Sequence, residues 1–330
     1  MGRNRAADDA WGDTLDIDWV RQLRASYQDR AARADLSAAV LTSSVVAVLG
    51  PAGCGKSVLL SGLADRVVSG AELASGMIFC DEQQTAADLA RLLSEQLAHR
   101  LPTAAGTAFR LHRSEARAHR LPAVAAGEHP AQGAVPVSAR TVWDTELTTP
   151  LAALGGPARA TLCVDGLDQL APAAREGLLR HVRHLVSSMQ GRVRFVLSAR
   201  TGSREQAEHL AGAWDARLVL ATGLDHDTFR AWAAERGRAP ADIDVLDEHH
   251  GGDWLLARLL LDLATPNLAP DTPRSVDEAY EMVLERARRL ARLGPDAVQA
   301  LVQVLAAGGL APVPLVLVHR GLGRVSELMR

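Results

Sequence analysis

The octapeptide Gly50-Pro51-Ala52-Gly53-Cys54-Gly55-Lys56-Ser57 satisfies the pattern G-x-x-x-x-G-K-[ST] at every required position. No other stretch restricts the fold as strongly, because the pattern works only as a loop between a buried strand and the first turn of a helix. Lys56 is the only lysine in the chain, although lysine and arginine together number 36. Arginine replaces lysine readily on a solvated surface, but its planar fork cannot do the work of a compact ammonium lying between two phosphates. The single lysine therefore marks the loop independently of its glycines.

The flanks meet the requirement. Residues 44–49 are a short apolar run of buried-strand type, and residues 57–67 carry Val58, Leu59, Leu60, Leu63 and Val67 at helical spacing. In a strand, loop and helix of this kind, successive backbone N–H groups form an anion-binding nest at the positive end of the helix dipole. The expected nucleotide-binding residues are Gly50, Pro51, Ala52, Gly53, Cys54, Gly55, Lys56, Ser57 and Val58. Lys56 is expected to hold the β- and γ-phosphates of ATP, and the Ser57 hydroxyl to ligate Mg²⁺.

Bulk properties set the frame. A length of 330 residues predicts two domains, and 48% hydrophobic with 23% charged residues predicts a globular chain. The net charge of -3 offers no general electrostatic footprint for nucleic acid, so no direct DNA or RNA binding is expected. Cys54, Cys80 and Cys163 do not form a spaced disulfide framework, the N-terminus lacks an apolar signal core, and no run of about 18 apolar residues occurs. These features predict a cytoplasmic protein without a membrane partner.

Along the chain, residues 1–40 read as a polar leader and a helix with Trp19, Leu23 and Tyr27 on one face. Residues 41–222 read as the nucleotide core. Further strands are predicted at 76–80, 160–164, 193–198 and 217–220, with helices at 85–100, 174–189 and 204–211 between them. Such alternation means an α/β fold with a parallel sheet and helices on both faces. Residues 101–140, rich in Pro, Gly, Ala and His, read as a long surface insertion without clear periodicity. After 222 the strands stop: helices at 225–236, 254–264 and 276–292 make a helical lid domain over 223–292, and Ser275 to Glu278 reads as a capping box. Residues 293–330, with helices at 296–306 and 315–319, read as the start of a winged-helix-like domain, as in a fragment of a longer protein.

The neighbouring strand ends carry the rest of the expected chemistry. The strand at 160–164 runs into Asp165-Gly166-Leu167-Asp168-Gln169, a carboxylate where a parallel sheet opens its ligand crevice. Asp165 is expected in the Mg²⁺ shell, and Asp168 is placed to orient or deprotonate an attacking water. The next strand ends Ser198-Ala199-Arg200, where Arg200 is expected to contact the γ-phosphate and Ser198 is a weaker candidate for the same task. His249-His250 offers a metal pair on paper, but no cluster of ligand spacing surrounds it, and solvated or capping histidines are expected. Cys54 is expected to contribute backbone only.

These residues resemble a known family. The loop at 50–57, the strand ending Phe79-Cys80, the Asp-Gly-Leu-Asp turn and the Ser-Ala-Arg strand end are similar to the NACHT-type branch of the STAND signal-transduction ATPases, an ASCE, AAA+-related group of P-loop NTPases. The stretch Gly251-Gly252-Asp253-Trp254-Leu255-Leu256-Ala257 resembles the glycine-led helix start that follows the ATPase core there. The resemblance implies a switch that is closed with ADP, opened by ATP exchange for oligomerisation or protein partners, and reset by slow hydrolysis. It also implies that Gly166 is the small residue after the magnesium aspartate and Asp168 the water-activating carboxylate. Gln169 stands where family members often carry a further acid.

Two other readings stay open. A small-molecule kinase would use lid arginines, and Arg110, Arg113, Arg117 and Arg120 lie at near-helical spacing in the insertion. A nucleotide-binding scaffold would hydrolyse nothing. A translation-type GTPase is disfavoured, since its Asn-Lys-x-Asp needs a second lysine.

Overall fold

The computed structural model describes residues 31–64, 67–68, 71–72, 76–101, 103–120, 138–154, 159–250 and 252–263, with 275, 278 and 282 besides. The expected N-terminal helix around Trp19, Leu23 and Tyr27 lies outside the described residues, as do the helices at 296–306 and 315–319, nearly all of that at 276–292, and the winged-helix start.

The chain divides into two units, one of residues up to Pro51 with Lys56–Ala221, the other of Ala52–Gly55 with residues from Thr222 onward. The first is a three-layer α/β unit. Its five-stranded sheet is wholly parallel and contains β1 (Val45–Gly50), β2 (Gly76–Phe79), β3 (Ala160–Asp165), β4 (Val193–Arg200) and β5 (Arg217–Leu220) in the spatial order β2-β3-β4-β1-β5. All six residues of β1 and all six of β3 are buried, which explains why they read as unbroken apolar runs rather than alternating ones. A small antiparallel pair, Val67–Val68 with Ala71–Glu72, stands apart from this sheet.

Helices α1 (Ala31–Thr42), α2 (Lys56–Ala64), α3 (Ala86–Arg100) and α4 (Thr103–Arg120) are followed by α5 (Ala139–Trp143), a π-helical turn (Asp144–Thr148) and α6 (Thr149–Ala153), then by α7 (Pro172–Met189) and α8 (Arg204–Ala213). Thr85 and Asp88 close a reciprocal capping box at the start of α3, and Leu89, Leu93 and Leu97 bury its stripe.

The segment read as a surface insertion without clear periodicity is largely helical where it is described. In α4 Phe109 and Ala116 are buried, and Ala105 and Ala108 are partly buried against the same core. Ion pairs also hold the helix: Arg113 pairs with Glu95 at 2.9 Å, and Arg117 donates to both oxygens of Glu146 at 2.8 Å each. The helix is strongly amphipathic, but its many Arg and His residues leave it polar overall, so composition hid a period that the sequence carries.

The second unit builds a separate core from α9 (His226–Glu235), α10 (Pro240–His249) and α11 (Trp254–Leu263), with Phe229, Trp232, Ile243, Leu246, Leu256 and Leu260 buried together. Asp225 caps α9 by accepting the Thr228 N–H at 2.8 Å. The loop residues counted with this unit are anchored in it: the Trp254 N–H donates to the Gly53 carbonyl at 3.0 Å. Gly53 has φ 71°, a left-handed conformation that favours glycine, and a Cβ there would also have to displace the Asp253 carboxylate. The Glu278 N–H donates to Ser275 Oγ at 3.1 Å, half of the expected capping box.

Candidate functional site

Sheet order decides which strand ends meet. Because β4 lies between β1 and β3, its carboxyl end stands beside both the phosphate loop and Asp165. Register pairs Gly50 with Arg200 and Phe79 with Asp165, and the Thr201 N–H donates to the Gly50 carbonyl at 3.0 Å. Strand ends at such an edge form the ligand crevice of open α/β sheets.

Lys56 opens α2 and is buried at 9% exposure, with its ammonium donating to the carbonyls of Gly50 at 3.0 Å and Pro51 at 2.6 Å. The side chain is thus turned over the loop rather than into solvent. Ser57 follows it, and its hydroxyl hydrogen-bonds the Asp165 carboxylate.

Asp165 ends β3 and is buried. Burial raises its carboxyl above the ordinary range, against the opposing hydrogen bonds from Ser198 and Ser57 and the charge of Lys56. Ser198 donates to Asp165 and accepts the Gly166 N–H at 2.9 Å, so its hydroxyl fastens the two residues together. Gly166 takes φ 78°, a left-handed conformation that suits glycine and turns the chain sharply into the 3-10 turn Leu167–Gln169.

That turn presents Asp168. Its carboxylate accepts the Arg200 backbone N–H at 3.0 Å and approaches the Arg200 guanidinium to 3.5 Å. Both side chains reach solvent, Asp168 at 26% and Arg200 at 57% exposure. Sequence reasoning named both residues without expecting them to pair. It also weighed Ser198 as a phosphate contact, whereas the hydroxyl is engaged with Asp165 and Gly166.

The donor set fits a hard divalent cation. Ser57 and Asp165 put hydroxyl and carboxylate oxygens in contact, in a pocket where burial disfavours the uncompensated negative charge. Cys80, at the end of β2, is the soft ligand nearby, but burial and the carboxylates of Asp165, Asp81 and Asp168 drive its thiol strongly upward. It stays protonated, neither nucleophile nor thiolate ligand. Cys163, behind β3 Asp165 in the sheet, is pushed up to about 12 by burial. All three cysteines are buried and outside any disulfide.

Three of the four arginines expected of a kinase lid are used inside the first unit. Arg110 donates to the Ala98 carbonyl, Arg113 to Ser94 and Glu95, and Arg117 to Glu146; the Arg120 side chain lies outside the described residues. The kinase reading loses the feature that supported it.

The two adjacent histidines separate. His249 bonds the Val245 carbonyl from the exposed side of α10, while His250 is buried at 1% exposure against Phe229, with ring centroids 4.5 Å apart. His250, His226 and Asp247 bring three potential metal ligands within 4.8 Å, a cluster the sequence did not reveal because His226 comes from another helix. The Gly252 N–H donates to His250 Nδ1 at 2.9 Å, so Nε2 carries the proton and gives it to Asp247 at 3.0 Å. With that lone pair absent and Arg230 on the other Asp247 oxygen at 2.8 Å, the cluster is a hydrogen-bond network rather than a metal site. An open depression lined by Ser43, Asp215 and Arg217 among others lies at the strand starts, the opposite edge from this chemistry. Among the described residues, no helix is long and apolar enough to cross a membrane.

Solved structures similar to this one include a Walker-type ATPase of Pyrococcus abyssi, at 16% identity and TM-score 0.46 over 92% of this chain and 90% of that one. The Aeropyrum pernix ORC1 protein, solved in complex with DNA, aligns at 15% identity and TM-score 0.45, covering 88% and 76% of the two chains. C. elegans PCH-2 aligns at 11% and 0.34, covering 87% and 74%. No curated protein sequence matches the chain. The family model described as nephrocystin 3, N-terminal, matches residues 36–200, half of the chain, from within α1 through the phosphate loop and the Asp-Gly-Leu-Asp turn to Arg200 at the end of β4. The chain belongs to the nephrocystin 3 N-terminal family.

Proposed function

We propose that this chain is an ATP-binding, slowly ATP-hydrolysing switch of the NACHT-type STAND kind. The observation that carries the reading is the meeting of Lys56, Ser57, Asp165 and Ser198 at one end of a parallel sheet, with Asp168 and Arg200 at its rim. In this reading the backbone from Gly50 to Val58 cradles the phosphates of ATP or ADP. Lys56 leaves the Gly50 and Pro51 carbonyls for the β- and γ-phosphates, where its charge offsets the charge that develops on the transferred group. Ser57 and Asp165 would hold Mg²⁺, which would supply neutralisation of the phosphate charge. Ser198 keeps Asp165 oriented. Asp168 positions and deprotonates the attacking water, and Arg200 reports the γ-phosphate. Gln169, amide rather than acid, supports slow turnover, and a scaffold without hydrolysis is its limiting case.

The switch itself consists of a changed relation between core and helical part when ADP gives way to ATP. Its partners are the nucleotide and proteins, including further copies of the chain; the net charge of -3 favours protein over nucleic acid. Buried cysteines outside any disulfide fit a reducing cytoplasm.

The decisive experiment is binding of a fluorescent ATP analogue with Mg²⁺. Lys56→Ala is expected to abolish it while circular dichroism stays unchanged, and Asp168→Asn to lower turnover by about 10²-fold. Equal analogue affinity in Lys56→Ala and parent would overturn the assignment. For the switch, hydrogen exchange over residues 223–320 is expected to differ between ADP and a non-hydrolysable ATP analogue; identical protection would leave a static nucleotide-binding fold.

A further inference from the structure

We propose that Arg200 and Asp168 form an exchangeable latch: without a γ-phosphate the guanidinium holds the Asp168 carboxylate, and the γ-phosphate of ATP takes the guanidinium and frees that carboxylate for water. The latch rests on the nucleotide reading above and adds to it a coupling between sensing and catalysis.

Asp168 has two attachments of different kinds. One oxygen accepts the Arg200 backbone N–H at 3.0 Å, a bond fixed by the end of β4. The other faces the Arg200 side chain, whose closest approach is 3.5 Å and which is 57% exposed. The first attachment orients the carboxylate; the second only neutralises it. An ion pair of that length between partly solvated groups is weak and easily exchanged. A terminal phosphate offers the guanidinium more charge and a geometry that matches its fork.

Position favours the exchange. Register sets Arg200 beside Gly50, the first residue of the phosphate loop, so phosphate and carboxylate compete for one side chain. Ser198 is not the competitor, because its hydroxyl proton goes to Asp165. After exchange the backbone bond still aims Asp168, now without its neutralising cation and better able to accept a proton from water. With ADP, nothing draws the guanidinium away, and the carboxylate stays covered.

A four-protein cycle tests this: parent, Asp168→Asn, Arg200→Ala and the double variant, each titrated with ADP and with a non-hydrolysable ATP analogue in Mg²⁺. Asp168→Asn releases Arg200 in advance, so the analogue is expected to bind about 5-fold or more tighter while ADP affinity stays within about 2-fold. In the Arg200→Ala background the same substitution is expected to change neither affinity. Asp168→Ala and Arg200→Gln repeat the cycle with other side chains, so that one misfolded variant does not decide it. Parental binding of both nucleotides with an unchanged analogue-to-ADP ratio in Asp168→Asn would overturn the latch alone. Failure of the parent to bind either nucleotide would overturn the nucleotide reading and the latch with it.

Discussion

Two arginine–carboxylate pairs in the same unit show how differently one chemistry can be used. Arg117 meets Glu146 through two parallel bonds of 2.8 Å, and the Glu146 side chain is 2% exposed and takes a third bond from Ser94 at 3.1 Å. The hydrogen bonds from Glu146 raise the Arg117 guanidinium above its ordinary value, against its own partial burial. The Arg200 guanidinium approaches Asp168 through one contact, at 3.5 Å, with both side chains reaching water. Burial and fork geometry weld the first pair, because separating it strands a charge in the protein interior. Neither condition holds for the second, so an anion arriving at the sheet edge can take its arginine. An arginine beside an acid is therefore no sign of function; the depth and directness of the contact are.

The largest effect expected from this contrast is at the welded pair. Arg117→Ala leaves Glu146 buried with Ser94 as its remaining partner and is expected to cost about 3 kcal/mol in denaturant unfolding, with ATP-analogue affinity unchanged. Wild-type stability in that variant would erase the distinction between the pairs. An intermediate case is Asp247 in the helical unit. Burial there would raise its carboxyl, but hydrogen bonds from His226, Arg230 and His250 outweigh it and hold the group below the ordinary range. A depressed folded value means stability that is present above the unfolded pKa, about 3.9, and is lost as pH falls through the folded one. Asp247→Asn is expected to cost about 1–3 kcal/mol at neutral pH and to flatten the acid limb below about pH 4, read from circular dichroism. An acid limb identical to that of the parent would assign the loss to other carboxylates. The smallest effect belongs to the loose pair, where Arg200→Ala is expected to change stability by no more than about 0.5 kcal/mol. A larger loss by calorimetry would make that pair structural as well.

Some elements could be read in advance because local physics decides them. Strands β1 and β3 are covered on both faces, so their apolar runs needed no alternation to be recognised. Thr85 with Asp88, and Asp225 before α9, signal helix starts through bonds that span three residues. Other elements depend on partners distant in sequence. The inner face of α4 mixes Phe109 and Ala116 with Arg113 and Arg117, and its charged part becomes interior because Glu146, 29 residues beyond Arg117, turns back onto it from a π-helical turn. α10 escaped notice for a related reason: its buried residues are Ile243, Leu246 and Asp247, and the third looks like solvent until His226, Arg230 and His250 surround it.

The same division runs through the candidate site. By itself the sequence determined the phosphate loop, since a lysine, a serine and glycines at set spacing dictate a backbone conformation within eight residues. It also determined that acids and an arginine end the strands, because apolar runs stop where the sheet meets water. Only the tertiary structure decided that β4 stands between β1 and β3, that Ser198 fastens Asp165 to Gly166, and that Arg200 covers Asp168 from 32 residues away. Strand order and side-chain pairing follow from how whole layers pack, and no local bond along the chain specifies them.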